Sequence, residues 1–223
     1  MKTIRSLFNR EDTAGIMFTL PFTLGFLFFM IVPMGISLYY SFCKYNILSP
    51  PVFTGLDNFK NMIADGTFLQ TIKVTFFFAF VSVPLKLIFA LLVAMLLLKN
   101  TKMSGIYRAA YYLPSIIGGS VAVAILWKRM FAMDGVVNKL LGSIGIKTSI
   151  SWLGDTKTAI WILILLAVWQ FGSSMLIFLS SLKQIPTSLY EAAMVDGANP
   201  VSRFFKITLP LLTPTISLTW LCR

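Results

Sequence analysis

The stretch Glu191–Pro210, EAAMVDGANPVSRFFKITLP, stands out in the chain that carries it. Of 223 residues 57% are apolar and only eight are acidic, yet Glu191 and Asp196 fall within one short run just before the last hydrophobic segment. Local chemistry gives the run a shape. Pro186 ends one helix or starts another, and Ser188 with Glu191 three residues on has the spacing of a capping box, which predicts a short helix from Leu189. Gly197 suits the left-handed position just past a helix end and stops that helix near Asp196. Asn199 is a good N-cap and Pro200 a good first helical residue, so a second helix is expected through VSRFFKITL, interrupted by Pro210 and Pro214. The result is a two-helix elbow at a membrane surface. Ala192 and Ala193 offer a small-residue face that another protein could approach closely. The alternative is a well-capped surface hairpin in which Glu191 only caps.

The membrane follows from composition. Mean hydropathy is +0.82 and charged residues make up 12%, whereas soluble domains carry roughly a quarter. A hydrocarbon core of about 30 Å takes about 20 apolar residues as helix. Four windows qualify: Thr13 to Cys43, Val74 to Leu98 (broken only by Lys86), Ala109 to Trp127 and Thr158 to Leu182. None alternates polar and apolar residues as a β-barrel strand must, so the expected class is all-α, a polytopic helical bundle. Helices are predicted at 13–42, 71–98, 109–127 and 158–182, with outer loops at 43–70 and 128–157 and a basic turn at 99–108.

The basic start MKTIRSLFNR precedes an apolar stretch too long for a secretory signal, and it should remain as the first membrane helix. Cys43 and Cys222 have no spacing that implies a disulfide framework or metal site. The net charge of +11 is scattered over helix ends and never forms a dense run, which fits anionic lipid headgroups and not nucleic acid. With the N-terminus cytoplasmic, the inner side holds nine basic residues (Lys2, Arg5, Arg10, Lys99, Lys102, Arg108, Lys183, Arg203, Lys206). The outer side then holds seven (Lys44, Lys60, Lys128, Arg129, Lys139, Lys147, Lys157), a bias that favours this orientation.

Several chemistries are excluded. Without histidine there is no Ser-His-Asp or Cys-His catalysis, and no GxxxxGK[ST] loop exists to cradle a nucleotide. Any energy for transport must come from an ion gradient or a separate ATPase. Ion-coupled carriers place carboxylates at midplane, but Glu11, Asp12, Asp57, Asp65, Asp134, Asp155, Glu191 and Asp196 all fall in predicted loops or at helix ends.

The motif EAAMVDGANPVSRFFKITLPLLTP closely resembles the EAA loop of the membrane permease subunits of ATP-driven, binding-protein-dependent ABC importers, in the form found in the carbohydrate-uptake branch. AGIMFTLPFTLGFLFFMIVPMGISLYYSF, GLDNFKNMI, YRAAYYLPSIIGGSVAVAILWKRMF and SWLGD are similar to the same family, so the resemblance covers nearly the whole chain. It implies a type I importer permease fold over 13–223 behind a cytoplasmic N-terminus at 1–12, with the coupling loop at about 186–210 on the cytoplasmic side. Glu191, Ala192, Ala193, Asp196, Gly197 and Ala198 would seat in an ATPase subunit. The implied partners are ABC ATPase subunits, a second permease, an extracytoplasmic solute-binding protein and membrane lipid. No cofactor is expected in this chain, since ATP would sit in the partner, and the cargo would be a sugar or related solute.

Other features leave two readings each. Pro114 with Gly118 and Gly119 marks either a broken helix lining the substrate path or a kink for close packing. Lys86 either faces the pore or snorkels from a tilted helix. Trp127, Trp152 and Trp161 are interfacial belt residues or sugar contacts. After Pro214 only TISLTWLCR follows, about 12 Å of helix to Cys222, so four full spans and a stub of a fifth are expected. The resemblance implies two full helices after the loop, and the chain is therefore expected to be truncated. An inactive fragment, or more remotely an ion-coupled carrier, is the alternative function.

Overall fold

The computed structural model describes residues 11–46, 48–98, 103–146 and 150–221. The expected cytoplasmic N-terminus, up to residue 10, and the first four residues of the basic turn (99–102) lie outside the described residues. The chain divides into two compact units, Met1–Lys73 and Val74–Arg223.

In the first unit α1 (Glu11–Phe26), a π-helical turn (Leu27–Ile31) and α2 (Val32–Ser41) run on as one helix. Its 27-residue stretch Gly15–Ser41 is long and apolar enough to cross a membrane, and none of it is buried. Phe18 and Phe29 are 87% and 86% exposed, a surface that hydrocarbon or a partner must cover. β1 (Cys43–Asn46) pairs antiparallel with β2 (Ser49–Phe53), Cys43 opposite Phe53, and α3 (Asp57–Ala64) follows. The Asn58 amide donates to the carbonyls of Ser41 and Cys43, both at 2.9 Å, tying α3 back to the helix end.

Asp65 stands just before α4 (Gly66–Leu96) and accepts from the Thr67 N–H at 3.1 Å, as an N-cap does. The Thr67 hydroxyl and amide together hold the Asp65 carboxyl below its ordinary value. This start is five residues earlier than the sequence predicts. Helix α4 carries the chain from the first unit into the second.

The second unit is built on α4 and α9 (Gly172–Gln184). On α4, Leu87, Ala90, Val93 and Ala94, with Leu97 just past its end, recur at helical spacing and pack with Phe171, Met175, Phe178, Leu179 and Leu182 and with Leu212 of α12 (Leu209–Leu221). Ala90 and Ala94 are wholly buried, and small residues let helices come close where no hydrophobic gain separates protein from lipid. The Ser181 and Thr215 hydroxyls join α9 to α12 at 3.0 Å.

The expected helix at 109–127 is two helices, α5 (Ser104–Ile117) and α6 (Val121–Met130), bent by 95°. After them come α7 (Val136–Ser143) and α8 (Thr156–Trp169), and α8 meets α9 at 43° where one helix is predicted over 158–182. Counting each bent pair as one span, the described residues hold up to five. The fifth differs from the expected stub: Pro200–Leu221 is a continuous 22-residue helix. Pro210 and Pro214 do not interrupt it. A π turn at Phe204–Thr208 precedes Pro210, with the Leu209 N–H reaching the Phe204 carbonyl, just as the Val32 N–H reaches Leu27 ahead of Pro33. Such a widened turn makes room for a ring that an α-turn would push against a carbonyl, and so accommodates Pro33 and Pro210.

Candidate functional site

The elbow runs through α10 (Thr187–Val195), α11 (Pro200–Arg203) and the turn between them. The predicted Ser188–Glu191 capping box does not form. Helix α10 begins at Thr187, two residues before the expected start, with Pro186 in the extended cap position and no side-chain cap. Ser188 therefore lies inside the first turn, too late to act as N-cap. The other end matches the sequence reading. Gly197 takes φ +76°, its N–H bonds the Met194 carbonyl at 3.1 Å, and the Ala198 N–H bonds the Ala193 carbonyl at 2.9 Å. This pair of bonds is a Schellman motif, which needs a left-handed residue where glycine alone pays no Cβ penalty. Asn199 then caps α11 by accepting from the Ser202 N–H at 2.7 Å, with Pro200 at the first helical position.

Glu191, Ala192, Asp196 and Gly197 are exposed, while Ala193 and Ala198 are half-buried. Val195 is 89% exposed and Met194 52%. A short helix closed at its C-terminal end thus presents the Glu191 carboxylate at mid-length and Asp196 at its C-cap, with apolar Met194 and Val195 between them. Its root is firm, because the Tyr190 hydroxyl meets that of Thr208 at 2.9 Å on the π turn leading into α12.

A second constellation joins the two helix breaks. The Ser115 hydroxyl, one residue past Pro114, donates to the Gln170 carbonyl at 3.0 Å and accepts from the Ser173 N–H at 3.1 Å. Breaking α8 from α9 frees backbone groups that lipid cannot satisfy, and Ser115 supplies the missing partner from α5. The two elements lie so close that a Cβ on Gly172 would stand 2.3 Å from the Tyr111 carbonyl oxygen. Gly118 is likewise covered, a Cβ there meeting the Gln170 side chain at 2.4 Å, whereas Gly119 has nothing within 4 Å. The helix breaks at 118–120, with Pro114 still inside α5, and Gly118 and Gly119 play different parts there.

Gln170 also lines a cleft of about 410 Å³ with Thr75, Phe78, Leu163 and Leu166. Lys86 does not line it. At 8% exposure Lys86 is buried on the packed face of α4, one turn from the buried Ser82 and Ala90, and so does not snorkel out. Trp127 stacks on Phe131 with ring centres 5.2 Å apart and meets Trp169 edge-on at 5.8 Å. Trp152 has a structural role. Its indole N–H donates to the Asn138 side-chain oxygen at 2.8 Å, while the Asn138 amide donates to the carbonyls of Met133 and Ile150, both at 2.9 Å, and of Ala132 at 3.3 Å. This fixes the loop between α6 and α8.

Sequence reasoning missed Ser115, Gln170 and Asn138. The signal for the first two was a polar residue inside an apolar run, which must find a partner within the protein. No residue of the elbow reads as a catalytic group, and among the described residues no cluster of metal-ligating side chains occurs.

The model of the binding-protein-dependent transport system inner membrane component matches residues 62–219. Over 217 residues the chain is 54% identical to the probable ABC transporter permease protein YesP of Bacillus subtilis (strain 168), covering 97% of this chain and 70% of that protein. It is 32% identical to AmyD of Thermoanaerobacterium thermosulfurigenes, a probable starch degradation products transport system permease protein, covering 91% and 69%. Among solved structures it is similar to a chain of a bacterial ABC transporter involved in the import of the acidic polysaccharide alginate. That likeness has a TM-score of 0.78 at 26% identity and covers 97% of this chain and 73% of that one. Family model, sequence identity and fold agree: the chain belongs to the inner membrane components of binding-protein-dependent transport systems, as an ABC importer permease.

Proposed function

We propose that the chain passes a sugar or related solute across the cytoplasmic membrane, receiving it from an external binding protein and driven by ATP hydrolysis in separate ATPase subunits. The observation that carries this reading is the elbow: an exposed short helix, locked at its C-terminal end and rooted on α12, is built to pass a push on to membrane helices. Glu191, Ala192, Ala193, Asp196, Gly197 and Ala198 form the docking element, and ATP belongs to the partner. A second permease and lipid would cover the exposed apolar side chains. Support for a sugar comes from relatives named for starch degradation products and for arabinooligosaccharides, and from the alginate importer. Against ion coupling, among the described residues no carboxylate lies within any of the five candidate spans.

The solute path would run along the paired breaks, past Pro114 and Gly119 and where Gly118 meets Gln170, because irregular backbone at membrane depth is tolerated where it is buried or lines a cavity. Lys86, buried in the same unit, is assigned to that path as well.

The test is Gly197→Val in the full complex reconstituted in liposomes. A β-branched residue at this φ costs about 1–3 kcal/mol and distorts the elbow. Uptake should fall at least about tenfold while ATPase activity no longer responds to loaded binding protein. Uptake at the normal rate would refute the coupling role. A cytoplasmic elbow is checked with Val195→Cys, which an impermeant maleimide should label in inside-out vesicles only.

A further inference from the structure

A cleft of about 330 Å³ opens beside the elbow, at the ends of three membrane helices. Its walls are apolar: Met95 and Leu98 at the end of α4, Leu182 at the end of α9 and Phe204 on the π turn. One cation enters it. The Arg203 Nε is buried and makes no hydrogen bond among the described residues, and no carboxylate lines the cleft. Among the described residues no ion pair joins Arg203 to the exposed Glu191, next to the lining residue Tyr190.

This is an amphipathic site. A guanidinium offers forked N–H donors that match phosphate oxygens, and a buried Nε without an acceptor is a donor in want of one. The apolar side suits a hydrocarbon chain. The place suits both at once, since Leu96 and Gln184 end their helices here and Pro200–Leu221 starts here, and the ends of membrane-crossing helices meet the change from acyl chain to headgroup. The exposed Lys183 and Lys206 flank it in sequence and add positive charge.

We propose that this cleft binds one anionic phospholipid, its phosphate on Arg203 and one acyl chain along Met95, Leu98, Leu182 and Phe204. The lipid would brace the elbow against the ends of α4 and α9. Charge complementarity selects a phosphate-bearing lipid over an apolar helix from another protein, which would leave the Arg203 Nε without an acceptor.

The experiment uses the full complex purified from membranes containing phosphatidylglycerol, washed with detergent and read by native mass spectrometry. Wild type should retain a bound phosphatidylglycerol. Arg203→Gln should lower its occupancy about fivefold, the factor expected from losing one basic contact of about 1 kcal/mol near a lipid surface. Leu98→Trp keeps the arginine but fills the apolar end, and it should displace the lipid too. Lys60→Gln, on the exposed α3, should leave retention unchanged. Wild-type retention in either cleft variant overturns the proposal. So does a photo-crosslinker at Leu98 that captures protein instead of lipid.

Discussion

Ser115 and Gln170, fifty-five residues apart, are joined by a 3.0 Å hydrogen bond from the serine hydroxyl to the glutamine carbonyl. The same hydroxyl accepts from the Ser173 N–H, so one side chain serves both sides of the α8–α9 break. Ser115→Ala removes both hydrogen bonds across the break from part-buried backbone groups, at about 1 kcal/mol each. Unfolding of the variant in mixed micelles should show that loss of stability.

The glycines at the breaks should respond unequally. Gly172→Ala sets a Cβ against the Tyr111 backbone and forces α5 and α9 apart, at a cost of about 1–3 kcal/mol. Gly119→Ala meets nothing and should unfold like wild type. Equal effects in a parallel melting series would contradict the packing described here.

Caps on the two elbow helices make a second contrast. Asn199→Ala loses the bond to the Ser202 N–H and should destabilise the elbow by about 1 kcal/mol. Ser188→Ala removes no cap and should be close to neutral. Hydrogen exchange of the amides at 201–203 and 188–191 reads the two effects separately.

At the start of α4 the prediction concerns pH. The Asp65 carboxyl titrates below its ordinary value in the folded chain because Thr67 bonds its ionised form. Its contribution is therefore present above the unfolded value and is lost as pH falls through the folded one. Exchange protection at Thr67 and Phe68 should weaken in acid, and Asp65→Ala should abolish that pH dependence.

Much of this was legible in the residues themselves. Apolar runs located the membrane segments, and Gly197 with Asn199-Pro200 marked the turn and second cap, because each answers to backbone geometry within a few positions. The break at Gln170-Phe171 was not legible. No proline marks it, and its backbone groups are satisfied from α5, a partner distant in sequence. The same holds for Asn138, whose bonds reach Ile150 and Trp152. Ser188 shows the converse error: the capping-box spacing was present, but Pro186 had already taken the extended position that starts the helix.

The π turn at Phe204–Thr208 has one more consequence. A π turn holds one residue beyond the α-helical repeat, and at 3.6 residues per turn one residue is worth about 100° of rotation. It therefore sets the angular phase between the elbow and α12, and so which side of α12 turns Leu212 into the core and Thr215 toward Ser181. Deleting one residue there would leave both helices intact while dialling the membrane segment a quarter-turn or more away from its partners, a gearing fault in an otherwise sound lever.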